Sequence, residues 1–463
     1  MKLLKASFLL AAAATATQLV ATDYLAVWNL TNGNMAKATI GVDTALFNTS
    51  GLNQYNGSEA WLTKLDMVIT NPSNTVLASY TKSDVNIFYW NPTGKNPAVT
   101  QTNVSYFAYD FILFGGPYMA GYHIGFSSAY GNKSTMGMNN IIDSFGPAFS
   151  GVTDVATWMS SINGQNRIYQ TGVTLAELPL EGAHHRPMLS FDRMGKEHQA
   201  WATGDFGSSS RTRDVHVTTG EAGVNWNVGK TGLIGFAAGH GEQNADLAFN
   251  GSSTTKGDYA LVEYDYRPEG TQWIVSLLGM VGSWESKTNR GYTNGPSIDS
   301  SFGVADIISR SARLRVDAPA LVTYGGFGFA PYASYSVTQT VVGAYAETGG
   351  AFPASFNEQS HDAQEGRLGI TASKDLSAAT KLLLTAEAIH RFDGVGPSLT
   401  GQDVTGGVSF SLPGTAPRAD CVRFGFDVDH KLNENTLLNV SAHASTVGEA
   451  HDVSAAISIR RAF

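Results

Sequence analysis

The second half of the chain alternates between apolar and polar residues with a period of two. In "EAGVNWNV" (221–228), Ala222, Val224, Trp226 and Val228 share one parity; Glu221, Gly223, Asn225 and Asn227 share the other. The same holds for "YALVEYDY", where Ala260, Val262, Tyr264 and Tyr266 oppose Glu263 and Asp265. It holds again for "VRFGFDVD" and "LLNVSAHAS", with Val422, Phe424, Phe426 and Val428, then Leu438, Val440, Ala442 and Ala444, on the apolar side. The final stretch, "HDVSAAISIRRAF", places Val453, Ala455, Ile457, Ile459 and Phe463 on one face and Ser454, Ser458 and Arg460 on the other. A period of two marks strands with two chemically different faces.

Two folds give such strands. A soluble β-sandwich buries its apolar face, and a transmembrane barrel turns that face to lipid. Here the polar faces carry charges and glycines deep within each segment, and a sandwich of this length would be very large. A closed barrel accounts for both features and removes every open sheet edge. His198 to Phe463 is 266 residues. Candidate strands start near His198, His216, Gly232, Gly257, Gln272, Ala305, Phe327, Glu365, Lys381, Cys421, Thr436 and Asp452, which makes about twelve. The segments "NVGKTG", "RPEG", "LSAATK" and "LNEN" read as short periplasmic turns. "SKTNRGYTNGPSIDSS" and "GVGPSLTGQDVTGG" read as long extracellular loops. Gly223, Gly235, Ala237, Gly239, Gly369 and Gly425 fall on the lumen parity. They either relieve curvature or make room for something held inside.

The first half has a different texture. Residues 17–181 are rich in Asn, Thr, Ser, Gly and aromatics. "DMVIT", "TVLASY", "DVNIFYW" and "VSYFAYDFILF" read as strands, and "TDVATWMSSI" as an amphipathic helix. No period of 20–30 residues repeats, so a long β-helix is not visible.

Composition sharpens the membrane reading. Charged residues are 15% of the chain, below the ~25% of soluble domains. The net charge of −9 and the scattered Lys and Arg leave no nucleic-acid footprint. One cysteine, Cys421, excludes an internal disulfide framework and a CxxC metal site. "MKLLKASFLLAAAATATQLVA" has a basic start, a short apolar run and the small-x-small site Ala14-Thr15-Ala16, the pattern of a signal peptide over residues 1–16. No run of about 18 apolar residues follows it.

The second half also resembles the translocator domain of autotransporters, the type V secretion proteins. "AWATGDFG" (200–207) is similar to the family's opening strand, through Trp201, Gly204 and Phe206. "FAPYASY" followed by "AYAETGG" resembles its Pro-aromatic strand and Tyr-x-Glu-x-Gly return, through Pro331, Tyr345 and Glu347. "RLGI" and "AEAIHRF" match the next two strands, and Phe463 with Ile459 and Ile457 resembles the outer-membrane insertion signal. Arg461 departs from that signal, where an aromatic or apolar residue is usual.

The resemblance implies an all-β chain: a C-terminal twelve-stranded antiparallel transmembrane barrel at 198–463, a pore-lodged linker helix at 182–197 ("HHRPMLSFDRMGKEHQ" with Pro187 in its first turn), and a small β-rich passenger at 17–181. It implies the outer membrane as location, with the passenger at the cell surface. The implied partners are outer-membrane lipid, the barrel assembly machinery and periplasmic chaperones; nucleic acid is not one. Some family members cut themselves at paired asparagines just before an "RMG" like Arg193-Met194-Gly195. Met188-Leu189 stands there and Asn139-Asn140 lies too early, so no self-cleavage is expected.

Candidate chemistry is sparse. GxSxG, GDSGG and HExxH are absent, and His123 in "GYHIGF" is the one histidine of the passenger region. It reads as a structural residue on a strand. His184-His185 reads as solvated rather than metal-binding. Tyr118, Tyr122 and Tyr130 fill a β core or form an adhesive surface, and the sequons at Asn48, Asn56 and Asn103 carry little weight. No catalytic residue, metal or cofactor is expected. Surface display of a passenger, with adhesion as its role, stands against two alternatives: a non-secreting pore with an N-terminal plug, and a surface-tethered hydrolase.

Overall fold

The computed structural model describes residues 21–29, 35–43, 45–46, 53–55, 58–84, 88–90, 109–114, 121–126, 148–209, 215–294, 297–404, 409–415, 420–446 and 452–463. These fall into two compact units, one up to Val155 and one from Ala156 to Phe463.

The first unit holds a five-stranded antiparallel sheet, in the spatial order Val76–Thr81, Leu62–Thr70, Met35–Asp43, Ala21–Asn29 and Ala148–Asp154. Its buried apolar residues include Leu25, Val27, Ile40, Val42, Leu65 and Met67, and the Met35–Asp43 strand is buried on both faces from residue 37 to 43. "DMVIT" and "TVLASY" lie in these strands. From the two later runs, Phe88–Trp90 and Tyr109–Phe114 are strands, and His123 lies on a further strand, Gly121–Phe126, with Tyr122. The signal peptide, Asn139-Asn140, Tyr118, Tyr130 and the three sequons lie outside the described residues.

The second unit opens with two helices, α1 (Val155–Asn163) and α2 (Ile168–Glu181). Twelve antiparallel strands follow: β1 (His198–Ser209), β2 (Val215–Val228), β3 (Gly232–Leu247), β4 (Gly251–Tyr266), β5 (Ile274–Asn294), β6 (Ser297–Asp317), β7 (Phe327–Val342), β8 (Gln359–Asp375), β9 (Thr380–Arg391), β10 (Asp420–Asn433), β11 (Thr436–Ser445) and β12 (Val453–Ala462). Each pairs with its neighbours in sequence, and β1 pairs with β12, Gln199 opposite Ala462, which closes the barrel. The Phe463 amide donates to the His198 carbonyl at 3.0 Å, so both ends of the ring meet at one rim. Among the described residues no helix is long and apolar enough to cross a membrane; crossing falls to the strands.

The parities hold. Val224, Phe236, Val262, Phe424, Phe426, Val440, Ile457 and Ile459 all point outward. Trp226, Tyr264, Tyr266, Trp273 and Phe463 cluster outward at the rim shared by the strand termini, an aromatic girdle for the membrane interface. The glycines on the lumen parity serve close packing. Gly223, Gly239, Gly369 and Gly425 stand directly opposite Trp201, Tyr259, Tyr332 and His443 on the neighbouring strand. A Cβ at any of them would overlap the facing ring, so each ring lies flat against the wall because its partner is glycine.

Some boundaries differ from the sequence reading. β4, β6 and β8 begin at Gly251, Ser297 and Gln359, ahead of the expected Gly257, Ala305 and Glu365. Within "SKTNRGYTNGPSIDSS", residues 286–294 and 297–301 are not loop but strand, the distal parts of β5 and β6. There the strands run past the apolar band, so polar residues stand outward as well and the alternation of hydropathy disappears. The expected linker helix is also displaced. Residues 182–197 carry only a 3-10 turn, Met188–Ser190, and Pro187 is extended at φ −55° and ψ 144°. Their amides are taken by the wall: Met188 N–H donates to Glu263 at 3.1 Å and Leu189 N–H to Asp265 at 2.8 Å. The α-helix lies one segment earlier, at α2, within the stretch read as passenger.

Candidate functional site in the barrel lumen

The chain threads the barrel from one mouth to the other. α1 sits at the mouth far from the strand termini. Its Trp158 Nε1 donates to the Phe352 carbonyl at 3.4 Å, and Arg290 reaches Ser161 Oγ at 2.7 Å while forking onto Glu347 at 2.8 and 2.6 Å. A small sheet of Tyr345–Ala346, Ala354–Phe356, Leu399–Asp403 and Ser409–Leu412 is built from the long hairpins at that end. α2 then descends through the lumen, and residues 182–197 run on to β1 at the opposite rim.

α2 is buried on all sides by an amphipathic cavity. One flank of Ile168, Leu175 and Leu178 packs on inward apolar residues of β2 to β7, including Val217, Leu261, Leu278, Trp284, Ile307 and Val342. Gly172 lets the helix approach β6 closely: a Cβ there would sit 2.8 Å from Ile307 Cγ2, and the Gly172 carbonyl accepts from Ser309 Oγ at 2.9 Å. The opposite flank carries the acids. Glu177 takes Arg391 at 2.9 Å, and Glu181 stands 3.4 to 3.7 Å from Arg367, Arg313 and Arg423.

The helix end is capped by the wall. Its last carbonyls have no intrahelical partners and carry the negative end of the helix dipole. Arg423 donates to the Glu181 carbonyl at 2.8 Å, and Arg313 donates to the carbonyls of Leu180 and, at 2.6 Å, His184. Glu387 holds this layer together by accepting from Arg367 at 2.8 Å, Arg423 at 3.0 Å and Tyr332 Oη at 2.6 Å.

Below the helix the extended segment continues the pattern. His184 bridges Glu263 (2.6 Å) and Glu221 (2.8 Å), and Trp201 Nε1 donates to the same Glu221 oxygen at 2.8 Å. Arg186 pairs with Asp429 and lies 3.9 Å from the Phe191 ring centroid, with Arg460 at 3.7 Å over the same ring. At the near rim Asp192 accepts from Lys431 at 2.6 Å and from the Met194 amide at 2.7 Å. Partial burial pushes the Asp192 pKa up, and these bonds outweigh it, so the carboxyl stays below its ordinary value. His184 and His185, read as solvated, are therefore buried: the lumen has replaced water with carboxylates around them.

The nine residues singled out by resemblance do not form one site. Trp201 faces the lumen beside Glu221; Gly204 and Phe206 sit further along β1, with Phe206 outward. Pro331 pairs with Ile370 in the wall. Tyr345 stacks on Phe356 at 4.7 Å and Glu347 binds Arg290, both at the far mouth. Ile457, Ile459 and Phe463 face outward on β12 and just past its end. Sequence reading missed the lumen set of Glu177, Glu181, Arg313, Arg367, Glu387 and Arg423. The available signal was the i, i+4 spacing of Glu177 and Glu181 beside Leu175 and Leu178, masked by Gly172, Pro179 and two threonines.

A plugged, charge-lined barrel whose strands cover 198–463 is the architecture of a translocator. The family model for the autotransporter beta-domain matches residues 199–443, slightly more than half of the chain. The chain belongs to the autotransporter family. It is a bacterial outer-membrane protein of type V secretion, and its translocator barrel is itself non-enzymatic. Among solved structures, the autotransporter is similar to the translocator domain of NalP from Neisseria meningitidis, at 13% identity and a TM-score of 0.50, covering 65% of this chain and 98% of that one. It is also similar to the beta domain of the Bordetella autotransporter BrkA (15%, TM-score 0.42, 58% and 100% covered) and to the transport unit of AIDA-I from Escherichia coli (10%, TM-score 0.37, 63% and 97% covered). The first of these likenesses shows the shared barrel fold. No curated protein matches the sequence.

Proposed function

We propose that the barrel exports the chain's own N-terminal region, from residue 17 to about the start of α1, and that α2 remains in the lumen as the plug once export is complete. One observation carries this reading: the polypeptide enters the barrel unit at the mouth opposite the strand termini and traverses the whole lumen to reach β1. A chain with its barrel termini on the periplasmic side and α1 at the other mouth has carried its polypeptide through the lumen. In this reading the passenger ends before Val155 rather than at Glu181. Its role at the surface is read as adhesion, from its aromatic and Asn/Thr-rich composition, and binding of displaying cells to glycan or matrix arrays tests that role.

Protease added to intact cells should remove the region before α1 and leave a fragment of α1, α2 and barrel. That fragment should migrate at two apparent masses, unboiled and boiled. Survival of the N-terminal region while the segment between β9 and β10 is cut would place it inside the cell and sink the export reading.

Insertion is assigned to the assembly machinery, with periplasmic chaperones delivering the chain, and to recognition of Phe463, Ile459 and Ile457. Phe463 lies outward and 62% exposed at the rim, where it contributes little to packing. Phe463→Ser should cut outer-membrane levels sharply, while the purified variant refolds in detergent as well as the parent. Normal levels in cells would reduce Phe463 to a girdle residue.

A further inference from the structure

One cluster in the lumen is not explained by the plug's ion pairs. His185, just after α2, Asp427 on β10 and His443 on β11 each offer a donor atom, and these atoms lie within 4.8 Å of one another. All three residues are buried. The hydrogen bonding around them is incomplete in a specific way. His185 Nδ1 lies 2.6 Å from the Gly182 carbonyl, which can only accept, so Nδ1 carries the proton. Its Nε2 lies 2.9 Å from Asp427 Oδ1. The other carboxylate oxygen, Asp427 Oδ2, has no hydrogen-bond partner, although the residue is 1% exposed. A buried carboxylate in this state is unusual and costly.

We infer that this cluster is a binding site for a borderline divalent metal ion of the zinc class. Two imidazole nitrogens and one carboxylate oxygen are the donor set such ions prefer, with a fourth position left for water. The tetrahedral edge for bonds of about 2.0–2.1 Å is ~3.3 Å. The His185 Nε2 to Asp427 Oδ1 spacing is 2.9 Å, and all three donor atoms lie within 4.8 Å of one another. Two further features hold the ligands in place. The His185 Nδ1–H to Gly182 carbonyl bond is the outer contact that fixes the tautomer of a ligating histidine. The His443 ring lies flat over Gly425, its cross-strand partner, where any side chain would collide with it.

The ligands come from three parts of the chain, so the ion closes a loop between the plug segment and the wall. The site exists only when residues 182–197 have reached their final position. Metal binding then stabilises the plugged state over any state with an open lumen. This staple needs the threaded chain but not the export step, so its failure and failure of the export reading are separable.

The test uses the untagged full-length protein, folded in detergent, stripped with chelator and titrated with Zn2+ or Co2+. One equivalent should bind per chain, and bound Co2+ should show the intense visible bands of a four-coordinate site. The unfolding temperature, read from the unboiled-to-boiled mobility change, should rise with Zn2+ and fall again with chelator. His185→Gln and His443→Gln should each lower affinity at least tenfold while keeping the unboiled mobility of a folded barrel. His390→Gln, at an exposed outer pair, should bind like the parent. Absence of a one-equivalent site in the parent, or retention of it in both lumen variants, would overturn the inference and leave a simple His185–Asp427 ion pair.

Discussion

On β10, Phe426 and Asp427 are neighbours in sequence and opposites in environment. Phe426 stands outward among Leu384 and Ala442 on the adjoining strands, as the lipid face of an outer-membrane strand must. Asp427 points inward and is buried among side chains. The outer face asks only for hydrophobicity, and almost any apolar residue satisfies it. The inner face asks for named partners. Glu387 accepts from three groups at once, and Arg313 spans two carbonyls of the plug. One face is specified by composition and the other by geometry, on the same strand and one residue apart.

The contrast can be broken from either side. The largest effect is expected inside. Glu387→Leu leaves Arg367, Arg423 and Tyr332 buried without their shared acceptor, and losing one partner of a buried ion pair costs about 3–5 kcal/mol. Urea unfolding of the refolded barrel, followed by tryptophan fluorescence, should show that loss; a change under 1 kcal/mol would mean that water enters the lumen freely. The next effect is expected outside. Val440 lies midway along the ten residues of β11, with Ile457 and Val428 beside it on the neighbouring strands. Val440→Arg puts a cation against mid-membrane lipid, at about 2–4 kcal/mol. Measured in lipid vesicles, a cost near zero would place Val440 outside the hydrocarbon band.

The same contrast explains what the sequence disclosed. Lipid and lumen alternate strictly, so the period of two exposed the strands, their faces and their number. It failed where both faces turn polar, in the distal parts of β5 and β6 and the first residues of β4 and β8. The plug was harder. α2 has a Pro and a Gly within it and no solvent-facing side, so its acids met arginines more than a hundred residues away rather than water. His184 and His185 looked like a solvated pair because nothing in their local sequence shows that Glu221, Glu263 and Asp427 surround them. Side-chain partners across a barrel are set by strand order and register, which local pattern does not encode.

The smallest effect is expected where neither face is constrained. Lys256 and Glu242 pair at 2.9 Å, outward on β4 and β3 near the far mouth, with side chains 54% and 34% exposed. The distance is as short as those of the lumen ion pairs. Distance alone would predict equal strength, but the surroundings differ. Water screens the charges and both long side chains give up rotamer freedom to meet, so exposed pairs contribute about 0.2–1 kcal/mol. A double-mutant cycle of Lys256→Ala and Glu242→Ala, each alone and together, isolates that coupling from other changes. It should be small in low salt and vanish as ionic strength rises and the screening length shortens. The equivalent cycle on Arg391 and Glu177 in the lumen should give a larger coupling that salt barely moves. If both cycles respond to salt alike, the lumen is as wet as the surface, and the plug is held by packing along its apolar flank rather than by its ion pairs.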